Sequence, residues 1–509
     1  MLLRRLAGAG ALLVLFCASC AARQSPSSQA LEEGLARAAS LVQAGCYACL
    51  REAEALYGAL AEQTSAAEAH MGRATAVLLL SARSRELGLA DRWERQVEAL
   101  VAALGRPDLL DTYRRVTAQI APPIVVGTPD ELDARAARAQ EARASEIDRD
   151  ALARLAQHDP VAAHFLVLLA CGERTALPVA AVDALPAAIR SVPLVAYAAG
   201  ACSPAYADAL DDALRQEPRF AEARYHRGVQ ALGARAFGTA DVELAAAVAA
   251  FPEAPAMHLA RGHLHLQLQE FPTALEAFDG VLRVAGDHRG ALLGRVEALS
   301  HMGRFTDAIA GADRLLDLGT WLLGDAYYWR AWNRRQLKQL EDAADDIESA
   351  KAFLINADVP KLAGFIAYDR ERYDEARAEL ETARERAAGD CDVPFALGLV
   401  YARLAREREG ASAFGAAADC AAAAQQSLRE RLAGIEATDL SGARRAAMRV
   451  RAEQALAGAR RQEGLAAINA ARLHGRSGNA AAARVLAERA AAWDAHREEA
   501  ERLLERLRP

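Results

Sequence analysis

Along residues 221–403 the apolar positions repeat about every 34 residues, a period much longer than that of a single helix or strand. Each period holds two helical segments joined by a short polar turn. The first segment is marked at its centre by a residue that is small in four of five copies: Gly228, Gly262, Val296, Ala331 and Gly364. Twelve residues later the second segment carries an alanine: Ala240, Ala274, Ala308, Ala343 and Ala376. The pattern predicts five helical hairpins and, around Gly398, the first helix of a sixth.

This spacing has a packing reason. Two antiparallel helices approach to roughly 8–10 Å only where small side chains meet, and these positions supply such a contact. Val296 is the bulkier exception. A large apolar residue stands three positions before each alanine and is expected to fill the space at the turn: Phe237, Phe271, Phe305, Leu340 and Tyr373. Because a hairpin of this size cannot bury both faces alone, the hairpins should stack into a solenoid.

The array resembles the tetratricopeptide repeat family, most clearly over 221–252 and 255–278, and more loosely to residue 403. The resemblance implies an all-α, right-handed solenoid whose concave face, made by first helices, binds peptides or other ligands. By position it implies a groove lined by Tyr225, His263, Glu297, Tyr328, Trp332, Arg335, Phe365 and Tyr368. Some members grip a C-terminal carboxylate with Lys and Asn. Here those positions hold Tyr225, Val229, Leu259 and His263, which argues against a chaperone-tail co-receptor.

The rest of the chain also reads as helical, and proline-rich breaks suggest its divisions. We expect a signal peptide at 1–19, a tether at 20–29, degenerate repeats at 30–120, a connector at 128–218, the array at 219–403 and a helical cap at 404–509. The only strand-like run, residues 124–126, is too short for a sheet. A Thr-Pro-Asp-Glu capping box begins a helix at Thr128, and Asp159-Pro160 begins another in the same way.

The composition suits this architecture and excludes one class of partner. Of 509 residues, 52% are hydrophobic but only 6% aromatic, as expected for thin helices packed closely. The formal net charge is −7, with both signs interspersed. Without a basic excess, we expect no nucleic-acid partner.

The N-terminus has the order of a secretory signal: Arg4 and Arg5, an apolar run over 6–16, then small residues. That run is too short to span a bilayer, which needs about 20 apolar residues. Residues 18–20 resemble a bacterial lipobox, although Cys17 stands where Leu is usual. The resemblance implies lipidation at Cys20 and, since Ala21 is not Asp, an outer-membrane location facing the periplasm or the cell surface. The alternative is an ordinary cleaved signal.

Six cysteines beyond the leader fall into pairs that are close in sequence: Cys46 with Cys49, Cys171 with Cys202, and Cys391 with Cys420. Exported proteins commonly form disulfides, and we expect this pairing among the fifteen possible. A Cys-x-x-Cys pair at 46 and 49 could alternatively be a redox site. It lacks the strand-then-helix context of thioredoxin-like proteins, so a structural bridge is favoured.

No catalytic motif emerges: neither a phosphate-binding glycine loop nor a hydrolase or metalloprotease signature occurs. His258, His263, His265 and His288 cluster in sequence, but 263 and 265 face different sides of a helix, so no metal site is expected. The acids at 341–346 read as a solvated helix start. We therefore expect no cofactor and no enzymatic activity.

The most informative stretch is 321–335, which holds three of the five tryptophans. Tyr, Trp and Arg dominate binding energies in protein interfaces. For Tyr327 and Trp329 packing between repeats is favoured; for Tyr328, Trp332 and Phe365 packing and groove binding stay open. The leading hypothesis is a non-enzymatic lipoprotein scaffold that binds a protein or peptide in the envelope. The alternative is a lipoprotein that captures sugars or organic acids, and a redox or hydrolytic enzyme is a third possibility.

Overall fold

The computed structural model describes residues 28–89, 93–103, 149–172, 177–319, 322–387 and 389–507. Within these ranges the chain is all-α, with short 3-10 turns and no strand, which confirms the predicted fold class. The signal peptide, Cys20, the 124–126 run, the capping box at Thr128 and Trp321 all lie outside the described residues. No described helix is both long and apolar enough to span a membrane.

The described residues form two compact units. Unit 1 comprises those up to 227 together with 246–254, and unit 2 comprises 228–245 together with those from 255 onward. The helices of unit 1 are α1 Ser28–Ala44, α2 Tyr47–Gln63, α3 Ala67–Leu87, α4 Glu94–Ala103, α5 Arg149–Ala156, α6 Pro160–Gly172, α7 Leu177–Asp183, α8 Ala187–Arg190, α9 Pro193–Cys202 and α10 Ala207–Gln216.

Two helices are divided between the units: α11 Ala221–Gly233 and α12 Phe237–Ala250. Unit 2 then continues with α13 Pro255–Gln267, α14 Phe271–Val284, α15 Arg289–His301, α16 Phe305–Asp317, α17 Leu323–Gln336, α18 Leu340–Lys351, α19 Asp358–Asp369, α20 Tyr373–Arg386, α21 Asp392–Arg403, α22 Glu407–Gly434, α23 Gly442–Arg476, α24 Ala480–Ala491 and α25 Arg497–Arg506.

The predicted hairpins are present. Each second helix begins at the large apolar residue identified from sequence, at Phe237, Phe271, Phe305, Leu340 and Tyr373. The five recurring alanines are completely buried. In unit 1, α6 begins at Pro160 as predicted, with the Asp159 carboxylate accepting from the Val161 N–H at 2.9 Å.

The turn inside each hairpin has one geometry, which was not predicted from sequence. The second residue after each first helix has a left-handed backbone. The N–H of the residue that follows it bonds back to the carbonyl five residues earlier, as from Glu270 to His265 at 2.8 Å. The left-handed residues are Arg235, Gln269, Gly303, Lys338, Glu371, Ala405 and Gly478. Only two of these seven residues are glycine. Because glycine is the usual sequence signal for a left-handed backbone, the repeated turn could not be recognised from the sequence.

The small residues act as predicted, with a refinement of what they meet. A Cβ at Gly262 would lie 2.5 Å from Phe278, one turn beyond the recurring alanine of α14, and not against the alanine itself. The bulkier Val296 has a compensation on the facing helix: a Cβ at Gly311 would lie 2.7 Å from Val296 Cγ2. The helices therefore stay close in the exceptional repeat because the small residue has moved to its second helix.

Beyond the array, α22 and α23 form a hairpin of 28- and 35-residue helices. The end of α23 turns at Gly478 into α24. The last helix, α25, buries Ala500 in a core shared with Ala417, Ile468 and other alanines of α22–α24. It therefore covers apolar surface at this end of unit 2.

Candidate functional site

The first helices of unit 2 contact one another directly: α13 meets α15, α15 meets α17, α17 meets α19 and α19 meets α21. Contacts of this extent do not occur between successive second helices among the described residues. A stack whose first helices are the closer set curves towards them, so they form its concave side. Seven of the eight predicted groove residues lie on these helices: His263, Glu297, Tyr328, Trp332, Arg335, Phe365 and Tyr368.

Trp332 on α17 belongs to an aromatic cluster. Its ring centroid is 5.8 Å from that of Phe305, 5.9 Å from Trp329 and 6.4 Å from His301. His301 in turn stacks on Phe271 at 4.7 Å. Edge-to-face pairs of this kind stabilise the arrangement beyond simple area burial. Trp332 is therefore held in place by the repeat before it while remaining partly exposed.

Arg335 is engaged within the protein. Its Nε donates to Asp369 Oδ2 at 2.8 Å, and its guanidinium lies 5.2 Å from the centre of the Phe365 ring. Both contacts connect α17 to α19. Tyr368 packs edge-on against Tyr373 at 5.7 Å. Arg335 thus fixes the spacing of two repeats, and its charge is already neutralised.

Two acidic residues on these first helices have no ion pair with any other described residue. Glu297 on α15 is partly buried, and burial raises the pKa of its carboxyl. Asp325 in the first turn of α17 behaves in the same way, since burial raises its pKa although its own backbone N–H acts to lower it. Sequence reasoning missed Asp325, although it stands three residues before Tyr328 and therefore shares its helix face.

Tyr328 lies beside Trp329, with ring centroids 5.6 Å apart, and burial raises its pKa to about 12. It also packs on the core formed by α17–α19. His263 remains exposed, yet desolvation by neighbouring protein lowers its pKa, and its ring meets Phe278 edge-on at 5.5 Å. The face thus combines anchored aromatic rings with uncompensated carboxyls.

A cavity of about 360 Å³ lies elsewhere in unit 2, among α20, α21 and α22. Its lining includes Arg384, Leu397, Tyr401, Arg408 and Ser412. It is open to solvent and does not include Tyr328 or Trp332. Capture of a small ligand by Tyr328 and Trp332 would be favoured by an enclosed pocket around those two rings. This cavity is not such a pocket.

Tyr225, the eighth predicted groove residue, lies in unit 1. Its ring meets His226 at 4.9 Å, and burial, with a smaller effect of Glu86, raises its pKa to about 12. It adjoins a buried polar network. Arg83 Nη1 donates to Glu86 Oε2 at 2.7 Å, and Tyr197 Oη and His226 Nε2 both bond to Glu86 Oε1.

The charges of this network are strongly coupled. Burial acts to raise the pKa of Glu86, but Arg83, His226 and Tyr197 hold it well below its usual range. Arg83 also lies 3.7 Å from the centre of the Tyr197 ring. A second buried carboxyl, Glu222, accepts the N–H of Tyr47 at 2.7 Å. These contacts join elements far apart in sequence, so the network stabilises unit 1.

The six cysteines form the three predicted disulfides, with Cα–Cα distances of 5.0, 5.5 and 5.4 Å in chain order. Cys46 caps α2, its Sγ accepting from the Cys49 N–H at 3.0 Å, and both cysteines are fully buried. Glu217 lies near enough to make a third metal ligand. Because the bridge occupies both sulfurs, this group binds no metal in the oxidised protein.

The clustered histidines have structural roles. His265 is buried and its Nδ1 contacts Glu270 Oε2 at 2.8 Å. His288 caps α15, accepting from the Ala291 N–H at 3.0 Å. His258 is buried against Gly280. Among the described residues, none of these three belongs to a group of three or more side chains close enough together to hold a metal ion.

The hairpin period, the buried alanines and the repeated turn together settle the architecture. The array has the tetratricopeptide repeat fold. No protein-family model matches the chain, and no curated protein matches it at a significant level.

Several solved structures are similar to parts of the chain. A tetratricopeptide repeat protein of Parabacteroides merdae is 12% identical, with TM-score 0.36, covering 56% of this chain and 98% of its own. PilF of Pseudomonas aeruginosa is 17% identical, with TM-score 0.35, covering 39% and 90%. YrrB, described as a TPR protein with an unusual peptide-binding site, is 18% identical, with TM-score 0.30, covering 35% and 91%. At these scores the fold rests on the geometry of this chain.

Proposed function

We propose that this protein is a non-enzymatic binding scaffold, attached by lipid at Cys20 to the outer membrane and facing the periplasm, whose concave face in unit 2 binds a polypeptide segment. Two features support export. The leader has the order of a lipoprotein signal, and three disulfides suit an oxidising compartment. A lipid anchor would concentrate the face near membrane-bound partners.

The aromatic side chains on the concave face carry the proposal. Tyr328, Trp332 and Phe365 are each partly exposed and partly packed against a core cluster or a neighbouring ring. Such side chains have few rotamers to lose when a partner binds, which lowers the entropic cost of association. Large, anchored aromatic rings are the usual centres of protein interfaces.

The charges on this face favour a particular kind of segment. Arg335 is paired with Asp369, and Lys361 with Asp390 at 2.7 Å. Glu297 and Asp325 have no such partner among the described residues, so negative charge is the uncompensated sign. A segment with Lys or Arg next to an apolar residue would complement both the carboxyls and the aromatic rings.

Site-specific photocrosslinking in the native envelope tests the binding face. A crosslinker at Glu297 should capture a polypeptide, whereas one at the exposed Glu276, on second helix α14, should not. Trp332→Ala should reduce capture from position 297. Equal capture from positions 276 and 297 would refute the concave face as the site. Mass spectrometry of the mature N-terminus tests the anchor separately, since a first residue other than Cys20 would remove it.

A further inference from the structure

The hairpin of α22 and α23 is much longer than the repeat hairpins. Second helices α14, α16, α18 and α20 have 12–14 residues, whereas α22 has 28. At about 1.5 Å per residue, α22 is roughly 42 Å long and extends well beyond the repeat that begins it. The Gln425 amide donates to Glu463 Oε2 at 2.6 Å and holds the two long helices together.

The tip of this hairpin, residues 435–441 between α22 and α23, contacts the first repeat. The Asp439 carboxylate accepts the N–H groups of Gly238 at 2.9 Å and Thr239 at 2.6 Å, at the start of α12. It therefore caps that helix from 200 residues away, where a negative charge is favoured. The approach requires glycine, because a Cβ at position 238 would lie 2.2 Å from the Asp439 carbonyl oxygen.

Arg444, just after the tip, adds a second set of bonds. Its Nη1 donates to Asp241 Oδ2 at 2.7 Å, while Nε and Nη2 donate to the two oxygens of Glu270 at 3.0 and 3.2 Å. Glu270 also contacts the buried His265. The tip is thus attached to the turns of the first two repeats by charge-assisted bonds, the stronger class of hydrogen bond.

This attachment makes the hairpin a link between the two ends of the array, because its tip contacts the turns of the first two repeats. The first helices form the concave side of unit 2, and the hairpin runs from the sixth repeat back to the first two. A straight connection between the ends of a curved stack passes over its concave side. A hairpin that follows such a connection would lie over the candidate binding face.

The long hairpin contains glycines that packing does not require. Several glycines inside the array helices are required by packing, since a Cβ at Gly262, Gly364 or Gly398 would lie 2.5–2.6 Å from a neighbouring side chain. In the hairpin, a Cβ at Gly415 or Gly434 would meet nothing within 4 Å. The same holds for Gly442, and at Gly458 only Arg461 comes as near as 4.0 Å. Glycine inside a helix without a packing reason weakens it and permits bending.

We propose that the hairpin is a latch: the contacts of Asp439 and Arg444 close it over the concave face, and their release admits the polypeptide partner. The inference rests on the proposed function for the identity of what enters, but not for the opening itself. It explains why Arg444 makes a bidentate contact with Glu270, why Asp439 caps a helix distant in sequence, and why glycine is required at position 238. It also explains why Gly415 and Gly458, inside the two long helices, have no packing role.

Opening can be measured without a partner, on the full-length lipoprotein in detergent. Spin labels at Val242→Cys and Gln454→Cys, both exposed positions, report the distance from the first repeat to the hairpin. Arg444→Glu should broaden and lengthen that distance, because the new carboxylate faces Asp241 and Glu270. Arg460→Ala, on the same helix and without an ion pair among the described residues, is the control and should leave it unchanged.

Access to the face is measured separately, with a polyethylene glycol maleimide on the single variant Glu297→Cys. Arg444→Glu should accelerate labelling by roughly tenfold or more, because several charge-assisted bonds are lost. Gly415→Ala with Gly458→Ala should slow it, since stiffer helices open less while the contacts stay intact. This second pair keeps the test decisive if the charge reversal impairs folding. Wild-type labelling as fast as that of Arg444→Glu would overturn the latch.

The two proposals fail in different ways. If position 297 captures a partner equally with and without Arg444→Glu, the latch is refuted and the binding face stands. If the spin labels report opening but position 297 captures nothing, the latch stands and the proposed function is refuted.

Discussion

The repeated left-handed turn leads to an unusual stability prediction, in which replacing alanine by glycine stabilises the fold. Ala405 has φ +57° at the turn between α21 and α22, where a side chain is unfavourable. The left-handed conformation costs an ordinary residue about 1–2 kcal/mol. Glycine avoids this cost but loses about 0.5–1 kcal/mol more chain entropy on folding. Because Ala405 is exposed, no packing is lost, and Ala405→Gly should stabilise the fold by about 0.5–1 kcal/mol.

The structure supplies matched controls for this prediction. Gly303 occupies the same turn position in another repeat at φ +73°, so Gly303→Ala should destabilise by a similar amount. Ala378 is equally exposed but lies inside helix α20, where Ala→Gly should cost about 1 kcal/mol. Thermal unfolding followed by circular dichroism would show shifts on the order of 2–4 °C per kcal/mol. If Ala405→Gly lowered the thermal stability as much as Ala378→Gly, the reasoning would be refuted.

Three further predictions concern packing, charge and covalent links. Gly311→Ala should destabilise by about 1–3 kcal/mol through its clash with Val296, and Val296→Ala should relieve part of that loss in a double-mutant cycle. Because the pKa of Glu86 is lower in the folded than in the unfolded state, its contribution to the free energy of unfolding should be present above pH 4.5 and decrease below it. The free energies of unfolding of wild type and Glu86→Gln, measured in urea, should therefore converge as the pH is lowered. Replacing Cys391 and Cys420 by Ala should cost roughly 3–4 kcal/mol, measured by urea unfolding, because their bridge closes a loop of about 30 residues.

The hairpins could be predicted from the repeat period because packing requires particular residue types at short, fixed spacings along the chain. Helices that cross closely need small residues at fixed positions, and the start of a second helix needs volume at its turn. The boundaries at Phe271 and Phe305 follow directly from those needs. Val296 departed from the pattern, and its compensation at Gly311 could have been found by asking which facing residue was unusually small.

The contacts across long sequence distances could not be predicted, because no local pattern records them. Asp439 and Gly238 are 201 residues apart, and each taken alone is an ordinary turn residue. The buried network of unit 1 left one weak signal: Arg83 lies one helical turn after the apolar run at residues 76–80 of α3, and therefore on the same face as part of it. A charge at such a position must be neutralised by the fold, but the sequence does not say by which carboxylate.

The same reasoning explains why the charge of the proposed binding face was not predicted. Family position placed Arg335 in the groove, and its charge invited an anionic ligand. The fold instead gives that charge to Asp369, at 2.8 Å, and leaves Glu297 without a partner among the described residues. What a groove offers to a ligand is the remainder after internal pairing, and that remainder here is acidic and aromatic. A partner chosen by the unpaired groups should therefore be cationic, the reverse of what Arg335 alone would indicate.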